Sequence, residues 1–184
     1  MPETTLKLRE PRAEDVTQRL ALGNAPEITR MFGVDPAQLP LLTYDRAKAW
    51  VDGLAGHPHA WIVEHQGRLL GEVRLDDVDA EKKRCRLAIG FYDRRKLGKG
   101  LGREAIRLAL VHAFEALGLR QVVLRVVAYN ERAIRCYRAC GFVEIDRQRA
   151  ALCLDGEKHD DVIMAIDAAA FAGVRSARRP SAPA

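Results

Sequence analysis

The chain has 184 residues, 48% of them apolar, 30% charged and 6% aromatic. That profile suits one ordinary globular domain and excludes a disordered or fibrous chain. No apolar run approaches the roughly 18 residues of a membrane-spanning helix, so no integral membrane role is expected. Thirty Lys and Arg against 25 Asp and Glu leave +5, too small an excess for a broad basic face, and no nucleic-acid partner is expected.

The opening Met-Pro-Glu-Thr-Thr-Leu-Lys-Leu is not basic and then apolar, so it does not read as a secretory signal. Four cysteines, Cys85, Cys136, Cys140 and Cys153, are too few and too scattered for a disulfide scaffold and point to a reducing, cytoplasmic setting. Cys136 and Cys140 lie one helical turn apart without a histidine or Cys-x-x-Cys partner, so no metal site is expected.

Leu6 and Leu8 ahead of Pro11 predict a short first strand. Residues 14–22 carry Val16, Leu20 and Ala21 at helical spacing and stop at Gly23-Asn24, and a second short helix is expected over 26–32. Residues 33–42, with two prolines, read as a loop; Thr43 then caps a helix through Ala47, Trp50, Val51 and Leu54. From residue 60 the pattern turns to strands: 60–64, a Gln66-Gly67 turn, 69–75, a charged turn over 76–83, then 85–92. Residues 101–117 give the clearest helix, with Ala105, Leu108, Ala109, Ala113 and Leu117 on one face and Gly118 as the stop. Residues 121–128 are apolar at nearly every position, as in a strand buried on both faces. A short helix over 131–140 precedes strands at 142–145, 150–154 and 162–166, with Asp155-Gly156 as a turn. Residues 1–167 are read as a single domain and 168–184 as a flexible tail.

Chemistry concentrates between the strand 85–92 and the long helix, in Arg95-Lys96-Leu97-Gly98-Lys99-Gly100-Leu101-Gly102-Arg103. Alternating glycines let a backbone approach a ligand and present successive N–H groups to it. The helix N-terminus and the flanking cations add positive charge at the same point, which together make a seat for a pyrophosphate. The spacing fits neither the nucleotide P-loop nor the dinucleotide fingerprint, whose third glycine is replaced here by Arg103. Taken alone, the segment is equally a flexible glycine-rich turn with solvated charges.

Arg95-x-x-Gly98-x-Gly100, placed between strand and helix, resembles the acetyl-CoA signature of the general N-acetyltransferase (GNAT) superfamily. Residues 130–142, an Asn followed by a helix bearing Tyr137 and ending in Gly141-Phe142, resemble that superfamily's second signature. The opening residues 6–15 and the segment 155–162 look like its RimJ/RimL-like branch. The resemblance implies a mixed α/β (α+β) fold: a largely antiparallel central sheet of about seven strands, helices on both faces, and a splayed parallel pair formed by 86–92 and 121–128. It implies acetyl-CoA as co-substrate without a metal, its diphosphate on residues 96–103, and its pantetheine and thioester oxygen on backbone groups of Gly90, Phe91 and Tyr92, with Asn130 nearby.

The implied reaction is direct attack of a neutral amine on the thioester. Tyr137 occupies the position of the family tyrosine that protonates the leaving thiolate; its plain alternative is a core aromatic. The base is less well marked. Glu72 and Asp76 alternate on one polar face of their strand, a face that is equally a solvated one; Asp93, His59 and His159 are weaker choices. The acceptor is expected to be a primary amine, either a protein N-terminus or a small molecule, and the resemblance also implies a homodimer. A non-catalytic acyl-CoA-binding module of the same fold is the alternative reading.

Overall fold

Two hairpin turns are set residue by residue. Gln66-Gly67 has φ values of 54° and 73°, and Asp155-Gly156 of 54° and 80°, the doubly positive pair whose twist matches that of the flanking strands. The first joins β2 (Ala60–His65) to β3 (Arg68–Asp79); the second joins β6 (Val143–Leu154) to β7 (Glu157–Asp167). The computed structural model describes residues 6–176. With β1 (Leu6–Arg9), β4 (Arg84–Phe91) and β5 (Gln121–Val127), these strands form one seven-stranded sheet in the order β1-β2-β3-β4-β5-β7-β6. β4 and β5 pair parallel, and the other neighbours pair antiparallel.

One face of the sheet is covered by α4 (Leu101–Val111), whose Ala105, Ile106, Ala109 and Leu110 bury against Val63, Val73, Leu75, Leu87, Val122 and Leu124. α5 (Glu131–Ala139) adds Ile134 and Tyr137 to the same core. At the β2–β3 end, α3 (Tyr44–Ala55) seals Ile62 and Leu69 through Leu54 and packs on α1 (Asp15–Leu22) through Val16, Ala47 and Val51. α2 (Pro26–Met31) follows α1 at the rim. The N-terminal segment is tied down by charge: Arg9 donates to Asp15 at 2.6 and 2.8 Å and also to Glu64. Asp15, wholly buried, accepts in addition from Arg12 N at 2.7 Å.

Four expectations change. The charged turn read over 76–83 is strand as far as Asp79, where β3 ends. The helix over 101–117 is α4 only to Val111 and then widens into a π turn, His112–Ala116, where His112 meets the Trp61 ring at 4.8 Å. The segments 142–145 and 150–154 are one strand, β6, with irregularities in its register; at Ala150 (φ 51°) the N–H is held by the Asp160 carboxylate at 3.0 Å instead of a ladder carbonyl. The expected tail begins as α6 (Ala168–Ser176): Asp167 Oδ1 accepts from Ala170 N at 2.7 Å, and Phe171 is buried, 5.4 Å from Phe114. An alanine-rich start with one aromatic anchor favours a docked helix over a loose end. Residues 177–184 lie outside the described residues.

Gly71 fixes the path of β4. A Cβ there would stand 1.8 Å from the Gly90 carbonyl oxygen, so only glycine permits this approach. Gly71→Ala is expected to lower unfolding stability by about 3 kcal/mol through backbone displacement, read from urea denaturation followed by circular dichroism.

Candidate functional site

β4 and β5 are in register at Arg84↔Gln121, Cys85↔Val122 and Arg86↔Val123, and there their pairing stops although both strands run on. Their outer edges stay paired. β4 stays laddered to β3 as far as Gly71↔Phe91, and β5 to β7 as far as Val127↔Asp161. Beyond Arg86↔Val123 the two strands diverge and border a cleft of about 560 Å³. Backbone groups facing that cleft have lost their sheet partner, and such groups require another.

Successive residues of a strand direct their N–H and C=O to opposite edges. The Gly90 carbonyl points at Gly71, and Tyr92 N donates to Leu70 O at 2.8 Å, so both residues spend their backbone on β3. Phe91 therefore faces the cleft, together with Leu87 and Ile89, which also line it. Of the expected trio, only Phe91 is so placed. The Leu87 and Ile89 backbones were missed, although strand parity was the signal that would have found them.

At the open end of the splay, Gly98 and Gly100 adopt φ of 74° and 79°, a conformation that side chains resist. Gly100 is also the N-cap of α4 and supplies no side chain to its first-turn amides. These amides are thus left for an anion, at the positive end of the helix dipole. Lys96, Leu97, Gly98, Gly100, Gly102 and Arg103 line the cleft, joined by Arg132 and Arg135 from α5. These two arginines went unread in the sequence, where only their spacing along the helix after Asn130 marks them. Arg95, Lys99 and Leu101 are not on its wall. Arg95 grips Asp93 at 2.9 and 3.0 Å, an ion pair that holds the Asp93 carboxyl below the usual range, and Asp93 caps the turn through Arg95 N. Leu101 packs into the core and anchors α4.

Asn130 lines the cleft, but its side chain is occupied: Oδ1 accepts from Ala133 N at 3.2 Å and Nδ2 donates to Met31 O at 3.0 Å. Its contribution is to cap α5 and to tether α2 beside the cleft. Tyr137 sits on the cleft wall, 5.9 Å from the Phe142 ring, and burial pushes its phenol well above the ordinary value. Cys136 is half-buried and lines the cleft beside Gly102.

Glu72 lies opposite Gly90 in the β3–β4 ladder, behind the cleft wall. It is buried, its Oε2 makes no full hydrogen bond, and burial raises its carboxyl against the pull of Arg74. Close to it are Trp50 and Tyr92, whose rings meet edge-on at 5.7 Å, and Arg19, whose guanidinium lies 4.1 Å from the Tyr92 centroid. Asp76, the other candidate on that strand face, is engaged by Arg86 at 3.0 Å, His57 at 3.2 Å and Arg74 at 3.4 Å.

A sheet opened along one parallel pair, with an uncapped glycine-bounded helix start and four cations around its mouth, defines a protein that binds an extended, phosphate-bearing ligand edge-on. The model of the Acetyltransferase (GNAT) domain family matches residues 5–143, and the chain belongs to that family. Its activity is acetyl transfer from acetyl-CoA to a primary amine. The spermidine N(1)-acetyltransferase of Escherichia coli K12 is 29% identical over 143 residues, 75% of this chain and 73% of that one. YdaF of Bacillus subtilis 168, whose name assigns it provisionally to ribosomal N-acetylation, is 29% identical over 97 residues, 52% of each chain. The crystal structure of spermidine N-acetyltransferase from Vibrio cholerae, in complex with CoA and spermine, has the same fold at a TM-score of 0.76 and 24% identity, covering 91% of this chain and 98% of that one.

The cradle tests on its own chemistry. Inorganic pyrophosphate is expected to bind the protein. Gly100→Val, forced into a left-handed conformation at a strain of roughly 1–3 kcal/mol, is expected to weaken that binding about tenfold, measured by calorimetry.

Proposed function

We propose that the amine attacks directly, in a ternary complex with acetyl-CoA, and that Tyr137 and Glu72 handle the two protons. The observation that carries this reading is the continuity of one cleft. It joins the glycine cradle, the unpaired edge of β4 and Tyr137. Lys96, Arg103, Arg132 and Arg135 match a ligand carrying a diphosphate and a further phosphate, and Leu87, Ile89 and Phe91 offer backbone partners to an extended amide-bearing arm. Bound there, acetyl-CoA supplies the activated acetyl group.

The chain's residues then do the following. Glu72 takes the ammonium proton, directly or through one water, because an amine of pKa near ~10 is otherwise protonated at neutral pH. Tyr137 holds its proton through the neutral range, since burial disfavours the phenolate, and releases it from Oη to the departing sulfur. Asn130 and Arg95 act as positioning residues through the caps described above. The assignment to the RimJ/RimL-like branch rests on residues 6–15 and 155–162, a cytoplasmic setting is supported by the four free thiols, and a homodimer rests on the resemblance alone.

Two outcomes test the roles. Tyr137→Phe is expected to lower kcat about 100-fold while leaving the acetyl-CoA Kd unchanged, with free thiol release read against calorimetry. An unchanged kcat removes Tyr137 from the chemistry, and acetyl-CoA heat without thiol release from any amine returns the non-catalytic alternative. For Glu72 the sign is set by its raised carboxyl: the base is present only above that pKa, so kcat/KM climbs with pH through a value above the ordinary carboxylate range. Glu72→Gln is expected to abolish that limb and lower kcat by about 100-fold or more; a retained limb assigns the base elsewhere.

A further inference from the structure

Residues paired across an antiparallel ladder share a face of the sheet. Gly90 pairs with Glu72 and Ala88 with Arg74, so these four lie on one face. Leu87 and Ile89 alternate to the other face, where α4 packs and carries its uncapped start. The cleft is lined from both faces, and the phosphate cradle belongs to the α4 side. Phe32 stands on the Glu72 side. A Cβ on Gly90 would lie 3.4 Å from Phe32 Cζ and 3.1 Å from the Tyr92 hydroxyl, and the Phe32 and Tyr92 rings meet edge-on at 6.2 Å. The ring therefore sits over the Gly90–Glu72 pair, beside the base and away from the phosphate end.

The backbone around Phe32 is held from several directions. Arg30 O accepts from the Tyr129 hydroxyl, and Met31 O accepts from Asn130 Nδ2 at 3.0 Å. Gly33, with φ of 76°, packs so closely that a Cβ there would stand 2.9 Å from Leu152 and 3.0 Å from Val127. Charges on this side of the cleft are balanced, Arg86 by Asp76 and Asp77, and Arg125 by Asp161. What stays uncommitted is apolar. Phe32 is 44% exposed although it lines the cleft, and Ile28, Met31, Ala88 and Leu152 line it too. A ring fixed in water at a preformed wall forgoes burial that a matching apolar group restores at little ordering cost. A hydroxyl or a second ammonium brought against the same wall sheds water against carbon.

We infer that Phe32 is a specificity-determining residue, and that the acceptor is a primary amine with an apolar substituent close to its nitrogen, seated on that ring. The inference rests on the acetyl-transfer reading above and names the acceptor class.

The test uses the full chain with acetyl-CoA and reads thiol release. Its probes are phenethylamine, ethanolamine, spermidine and two short peptide amides, one beginning with phenylalanine and one with serine. A kcat/KM roughly tenfold or more higher is expected for phenethylamine than for ethanolamine and spermidine, or for the phenylalanine peptide than for the serine peptide. A preference seen with phenethylamine places the source among free amines, and one seen only with the peptides places it at protein N-termini. Phe32→Ala is expected to raise KM for the preferred probe about tenfold, with little change in kcat or in the KM for acetyl-CoA. Phe32→Leu, which keeps an apolar side chain, is expected to recover most of that loss. Ethanolamine, spermidine and the serine peptide turned over as well as the apolar probes, or a preference that Phe32→Ala leaves intact, overturns the inference. Calorimetry on the CoA-loaded protein separates it from the transfer reading. Binding of an apolar probe that Phe32→Ala weakens, without thiol release from any amine, sustains the apolar seat and refutes transfer; release from ethanolamine and spermidine alone does the reverse.

Discussion

The structure depends on a sheet that is prevented from closing. After Arg86↔Val123, β4 stays paired with β3 and β5 with β7, while the edges that β4 and β5 turn toward each other are unpaired. Unpaired backbone groups in an otherwise laddered sheet are costly when kept from water, and the separation persists because the surrounding packing holds it. Gly71 draws β4 to one side, Asn130 caps α5 and ties it to α2, and the α4–α5 core fixes the floor. A cofactor arm that carries its own amides is the natural occupant of such an opening.

The first sixty residues act on the same opening from the other side. Arg9, Asp15 and Glu64 form a charge network satisfied by its own members, by backbone and by Lys7, which pairs with Glu64 at 2.9 Å, so the network fixes the N-terminal segment at little net electrostatic gain. That segment carries α1 and α3, which roof the polar face of β3 and enclose Glu72 with Arg19, Trp50 and Tyr92. The same burial that stabilises the helices raises the Glu72 carboxyl, so the packing of α1 and α3 sets the protonation of a side chain on β3.

Charge is divided along the cleft. At the mouth Arg135 pairs with Glu131 at 3.0 Å beside Lys96, Arg103 and Arg132, and the cations at the closed end are shared with Asp76, Asp77 and Asp161. The family relationship brings acetyl transfer with it.

Where a residue's chemistry is local, the sequence by itself determined the outcome. The Gln66-Gly67 and Asp155-Gly156 turns, the amphipathic start of α4 and the glycine run before it follow from backbone freedom and periodicity, and the two signature segments carried the family. Where the outcome depends on what lies across the sheet, only the tertiary structure decided it. Gly90 and Tyr92 give their backbone to β3, and Asn130 spends its amide nitrogen on the Met31 carbonyl. Phe171 turns an expected tail into a docked helix by finding Phe114. Arg125 meets Asp161 from a strand 36 residues away. Such pairings arise between groups distant in sequence, and a linear pattern holds no record of which partner each polar group will reach first.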